Sequence, residues 1–214
     1  MNTDYSVVLA VKNAEEYLEN ALVSVYSQSL APKEVIVVDD NSDDETKSIA
    51  IRFGARVINN KGKGQAAGLN TGIQCCATEL IAFLDHDDLW HLNKQEMQVD
   101  LILSEDEVDY VVGEVVNFDG RGLEKNMGLS RVLGACTFTM EFVQRVGNFN
   151  EDLNHHAIVE WWSRVGATNA KWKGINQPLF YRLIHGKNTT TVAKDEAKKA
   201  LLLAIRMGIH SRRD

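Results

Sequence analysis

Three carboxylates crowd into the four residues Asp85-His86-Asp87-Asp88, directly after the apolar run Leu80 to Leu84. Neighbouring carboxylates repel one another, and a hard divalent cation taking oxygen ligands is the usual way to neutralise them. The run before them has the length and composition of a buried strand. The acids therefore belong at a strand's carboxyl end, where open α/β sheets bind ligands. That placement predicts metal-assisted phosphate chemistry, against the plainer alternative of a solvated acidic turn. A second acidic stretch, Asp39 to Asp44, follows the apolar residues Val35 to Val38. Asp40 within it has two readings, a ligand acceptor at a strand mouth and an anion favoured ahead of a helix. Between the two acidic groups lies Lys61-Gly62-Lys63-Gly64, where Lys63 either offers a point charge to phosphates or is a solvated surface lysine.

The elements that must hold these residues alternate. Ser6 to Val11 reads as a buried strand, and Glu15 to Gln28 as a helix with Tyr17, Leu18, Ala21, Leu22 and Val25 on one face, with Asn13 placed to cap it. Glu34 to Val38 predicts a second strand, about Glu45 to Phe53 a helix, Ala55 to Ile58 a third strand, and about Gln65 to Cys76 another helix. This βαβαβαβ order implies a mostly parallel sheet with right-handed crossovers, so the two acidic strand ends should face one crevice. Beyond Trp90 the pattern predicts a helix near Leu92 to Ser104, a strand from Tyr110 to Asn117, and a glycine-bearing loop from Asp119 to Gly128. A short helix near Met140 to Val146, helical residues Glu160 to Val165, a strand from Pro178 to Ile184 and a terminal helix from Asp195 to Met207 complete the reading. A soft boundary near Ser104 divides an α/β half, residues 1–104, from residues 105–214, both expected in one compact body.

Composition narrows the classes. With 214 residues and 44% hydrophobic content the chain can bury a sizeable core. A net charge of -7 argues against nucleic acid as a partner, because phosphate backbones need clustered Lys and Arg. Cys75, Cys76 and Cys136 are too few and wrongly spaced for a zinc site or a disulfide framework, which favours a reducing cytosol. No signal-like start and no apolar run of spanning length is present, so a soluble, cytoplasmic protein is expected, with peripheral contact to a membrane left open.

The order of motifs resembles the family 2 glycosyltransferases of the GT-A fold. The resemblance rests on Ser6 to Asn13 followed by Ser24 to Gln28, on Val37 to Ser42, on Gly68 to Ile73, on Phe83 to Asp88, and on Val146 to Glu151. It implies an α/β fold, a Rossmann-like, mostly parallel sheet sandwiched by helices with a small acceptor-side α+β portion. It also implies an inverting, metal-dependent transfer of a sugar from a nucleoside diphosphate, with a UDP-sugar favoured, to a glycan or lipid-linked acceptor hydroxyl in polysaccharide synthesis. A homodimer is compatible with it. By position, Asp40 would contact the base, and Asp87 and Asp88 would hold Mn2+ or Mg2+. Asp85 and the motif residues Ala10, Asn13 and Asn70 would contribute to the donor site, and Arg182 and His185 would close over the diphosphate. Lys63 and Trp161 are further candidates, the latter because an indole is a flat platform for a sugar face.

The chain departs from the pattern at the catalytic base. Ala157-Ile158 stands where many relatives carry Glu-Asp, and Glu160 stands one turn later, ahead of Arg164. Glu160 beside Trp161 and Trp162 is one base candidate and an i,i+4 ion pair to Arg164 its alternative. His156, with His155, is the rival, because a histidine accepts a hydroxyl proton near neutral pH. Two competing functions follow: a sugar-nucleotide binder without catalysis, which the missing acids favour, and a nucleotidyltransferase. Lys12-Asn13-Ala14-Glu15 after the first strand does not resemble the phosphate loop of the latter.

Overall fold

The computed structural model describes residues 3–118 and 123–184. The first half builds four strands, β1 (Tyr5–Val11), β2 (Glu34–Asp39), β3 (Arg56–Asn59) and β4 (Leu80–Phe83). They are joined by the helices α1 (Leu18–Tyr26), α2 (Thr46–Arg52) and α3 (Gly64–Cys75). All four strands are parallel in the order β3-β2-β1-β4, with Val8 of β1 opposite Ile36 of β2 and Phe83 of β4. β1 and β4 are buried almost throughout, which is why they read as continuous apolar runs rather than as alternating patterns.

The second half extends the same sheet. It contributes β5 (Leu89–Trp90), α4 (Lys94–Ser104), β6 (Tyr110–Phe118), β7 (Leu123–Leu129), β8 (Cys136–Thr139), α5 (Met140–Val146), α6 (Ala157–Ala167) and β9 (Trp172–Leu183). Among the described residues the full order is β3-β2-β1-β4-β8-β6-β9-β5, with β7 paired to β6. β8 runs antiparallel to both β4 and β6, and β9 is parallel to β6. The carboxyl ends of β1, β2, β4, β6 and β9 therefore lie along one edge of the sheet, and that edge holds the acids. The core beneath is aromatic: Trp161 stacks on Phe149 at 5.2 Å and meets Phe138 edge-on at 5.7 Å.

Several boundaries differ from the sequence reading, each for a physical reason. α1 starts at Leu18, and Asn13 does not cap it; Asn13 adopts a left-handed conformation (φ 49°) and accepts the Asp43 N–H at 3.1 Å instead. The stretch expected to be a loop forms strand β7, whose Asn126 donates to Glu114 of β6 at 2.7 Å. β9 begins at Trp172 rather than Pro178, because pairing with β6 from Tyr110 onward carries a segment whose own side chains are mostly exposed. The terminal helix expected from Asp195 to Met207 lies outside the described residues. No helix among the described residues is long and apolar enough to cross a membrane.

Candidate active site

The cleft at the carboxyl edge, ≈ 390 Å³, is lined by residues from four segments that the fold brings together. Ala10, Val11 and Lys12 come from the end of β1, Asp40 from the end of β2, Asn60, Gly64, Gln65 and Gly68 from the approach to and start of α3, and Asp85, His86 and Asp87 from the end of β4.

Asp40 is fixed by three bonds. Its N–H donates to Val11 O at 2.8 Å, Oδ1 accepts the Asn60 side-chain amide at 3.0 Å, and Oδ2 accepts the Gly64 N–H at 3.0 Å. Gly64 has φ +84°, which an L side chain rarely adopts, so glycine is what lets this N–H point at the carboxylate. Asn60 also donates to Gly64 O at 3.1 Å and closes the turn. Asp39, by contrast, is structural: it accepts the Ser42 N–H and pairs with Lys47 at 3.1 Å, away from the cleft.

The acids after β4 separate into two kinds. Asp85 and Asp87 reach the cleft, and Asp85 Oδ1 accepts the Gln65 amide at 3.0 Å. Burial, and then the charge of Asp87, raise the pKa of Asp85 against the opposing pull of His86 and Arg182. Asp88 is only 3% exposed and does not line the cleft, and its Oδ1 accepts the Leu183 N–H at 3.0 Å, tying the turn between β4 and β5 to the end of β9. Burial, reinforced by the charges of Asp85 and Asp87, raises its pKa well above the usual carboxylate range. Of the two acids expected at a metal, Asp87 lines the cleft and Asp88 does not. Two carboxylates at a cleft suit a divalent ion that takes its remaining ligands from phosphates and water. Among the described residues no group of three or more His, Cys, Asp or Glu is gathered for a metal.

Other expected site residues are placed elsewhere. Trp161 is fully buried, with its indole N–H donating to Gly147 O at 2.9 Å, so it is a core residue and offers no face to a sugar. Asn70 is 3% exposed and its amide is wholly engaged by Phe149 and Glu151, so it holds the protein together rather than a substrate. Lys63 is exposed just ahead of α3 and does not line the cleft. Arg182 is exposed at the end of β9, with its charge felt at Asp85 and Asp88. His185 lies outside the described residues. Glu160 is held bidentately by Arg164, at 2.7 Å and 3.0 Å, and Arg164 also donates to Val146 O and Asn148 O. His156 is exposed at the N-terminal end of α6. Asn60 and Gln65 are cleft residues that sequence reasoning missed; both lie in or beside the glycine-rich stretch, which was the available signal.

The sheet order and helix placement are those of the GT-A fold. The chain belongs to glycosyl transferase family 2, whose pattern matches residues 6–162. It is 34% identical, over 118 residues, to the UDP-Glc:alpha-D-GlcNAc-diphosphoundecaprenol beta-1,3-glucosyltransferase WfgD of Escherichia coli, a match covering 52% of this chain and 46% of that one. Its fold is similar to that of Staphylococcus aureus TarS 1-349 in complex with UDP (TM-score 0.69, 19% identity, 96% of this chain and 65% of that one). It is also similar to glucosyl-3-phosphoglycerate synthase from Mycobacterium tuberculosis in complex with Mn2+, UDP and glucosyl-3-phosphoglycerate (TM-score 0.62, 18% identity, 98% and 79%). The chain thus spans about half of WfgD and just under two thirds of that TarS chain.

Proposed function

We propose that this chain carries the donor site and transfer centre of an inverting glycosyltransferase that uses a UDP-sugar and an acceptor hydroxyl. The observation that carries this reading is the convergence of Asp40, Asp85 and Asp87 on one cleft at the carboxyl edge of the sheet. Asp40, preset by Asn60 and Gly64, accepts a ring N–H of the base, and a glycan or a lipid-linked glycosyl diphosphate, as in the description of WfgD, is the acceptor class. Asp87 with Asp85 would hold Mn2+ or Mg2+, which when bound neutralises charge developing on the departing diphosphate. Arg182 adds a cation beside these acids.

The acceptor oxygen attacks the anomeric carbon from the face opposite the diphosphate, and a base takes its proton. We assign that role to His156, because Glu160 is committed to Arg164. The same ion pair favours a second reading, a sugar-nucleotide binder without turnover. Titration of UDP into the protein by calorimetry, with and without manganese, tests the donor site. Release of UDP from a panel of UDP-sugars separates the two readings: any manganese-dependent turnover excludes the silent one, and the absence of UDP binding defeats both.

A further inference from the structure

Asn70 and Glu151 fasten the donor half of the cleft to the segment that leads into α6. The Asn70 amide donates to Phe149 O at 2.9 Å and to Glu151 Oε1 at 2.8 Å, and its Oδ1 accepts the Phe149 N–H at 2.9 Å. The helix bearing Asn70 has no freedom to shift alone. Its Gly68 and Gly72 lie so close to β1 that an added Cβ would fall 2.8 Å from the Ala10 Cβ and 2.3 Å from a Val8 methyl.

The other oxygen of Glu151 lies against the donor-side loop, where a Cβ on Gly62 would stand 3.0 Å from it. Gly62 N–H donates to Asn60 Oδ1 at 3.2 Å, and the Asn60 amide reaches Asp40. Hydrogen bonds therefore run from Asp40 through Asn60 to Gly62, and Glu151, which lies beside Gly62, is bonded in turn to Asn70 and through it to Phe149. From there the path enters α6, because Phe149 stacks on Trp161.

We infer that Glu151 and Asn70 are positioning residues for the transfer step, holding residues 149–156 and α6 in register with an occupied nucleotide site. The inference rests on the reading of Asp40 as a nucleotide contact. A nucleotide on Asp40 orders the loop from Asn60 to Gly64, and the Glu151 carboxylate passes that ordering to the segment that ends at His156. Coupling of this kind needs no large motion, only that one ligand restrains what the second step requires to be ordered.

Hydrogen exchange read by mass spectrometry tests it, with saturating UDP and manganese. In the parent protein UDP slows exchange at 60–64 and also at 149–156. Glu151→Ala, at an exposed position, keeps the first protection and loses the second, with UDP affinity within about twofold of the parent. Glu151→Gln, whose amide oxygen still accepts from Asn70, restores it. In the same variants Glu151→Ala lowers transfer by about 10- to 100-fold while hydrolysis of the donor by water stays within about twofold, since water needs no aligned acceptor side. UDP binding without protection at 149–156 overturns the inference alone. Equal losses of transfer and hydrolysis with a lower melting temperature overturn it in favour of a purely structural bond. Absence of UDP binding removes the donor-site reading first and this one with it.

Discussion

The Leu183 N–H donates to Oδ1 of Asp88 at 3.0 Å, joining residues 95 positions apart and turning the last acid of the tetrad inward. Asp88 is consequently a strut between the turn ahead of β5 and the end of β9, while Asp85 and Asp87 face the cleft.

This division predicts unequal variants. Asp87→Asn weakens manganese-dependent UDP binding by about tenfold or more, roughly 1.4 kcal/mol, because a charged ligand to the ion is lost. Asp88→Asn keeps an oxygen for the Leu183 N–H and removes a buried charge, so manganese dependence survives and the melting temperature holds or rises. Calorimetric titration and thermal melts of both variants check it. Loss of the metal effect only in the Asp88 variant would move the ion to that residue.

Asp40 does two jobs in the structure, receiving Asn60 and Gly64 and facing the cleft. Asp40→Ala removes the acceptor of the part-buried Gly64 N–H and one of the two acceptors of the Asn60 amide, so UDP affinity falls by about 1–3 kcal/mol and stability by about 1 kcal/mol or less. Asn60→Ala removes one of those donors without touching the ligand acceptor, and should lower UDP affinity by less, about 0.5–1.5 kcal/mol. If both variants weaken inorganic pyrophosphate as much as UDP, Asp40 organises the cleft without reading the base.

The sequence made the donor half legible because β1, β2 and β4 are short apolar runs, each ending where polar residues begin, and parallel order then forces their ends together. β7 was not legible: Leu123 to Leu129 mixes Glu, Lys, Asn and Gly, and it is a strand because β6 offers an edge. Asn70 and Trp161 were misread for a related cause. An amide or an indole in a motif says that it is bonded, but not whether its partner is a ligand or a strand away. The polar residues Lys94, Gln95 and Gln98 look like a solvated helix face, yet all three are fully buried against β8, where Thr137 completes the network.

Lys94 gives a pH signature. Burial lowers its pKa from the ordinary lysine value of 10.5 to about 7, although Gln98 Oε1 accepts from it at 2.8 Å and Trp90 lies beneath the ammonium. Between those two values the unfolded chain binds the proton and the folded chain does not, so this residue makes stability rise with pH across that window. Below about 7 its full penalty is present. Lys94→Met should flatten that slope, with a change on the order of a few kcal/mol between pH 7 and 10. Urea melts of both proteins across this range check it, and an unchanged slope would mean that Lys94 keeps its proton in the fold.

The base prediction follows from how Arg164 is used. Its guanidinium grips Glu160 twice and also closes onto Val146 O and Asn148 O, so Glu160 is one arm of a clamp on the turn before the 3-10 segment at Glu151–His156. Both oxygens of the carboxylate are so engaged, and Glu160→Gln should leave turnover within about twofold while lowering stability by about 1 kcal/mol or less, as for a partly exposed ion pair. His156→Ala should keep UDP affinity and stability but lower turnover by about two to four orders of magnitude, the usual contribution of a positioned base. Steady-state rates with a UDP-sugar and manganese, read beside UDP affinity, separate the cases. The opposite pattern, an inactive glutamine variant beside an active alanine one, would make Glu160 the base and require Arg164 to release it during turnover.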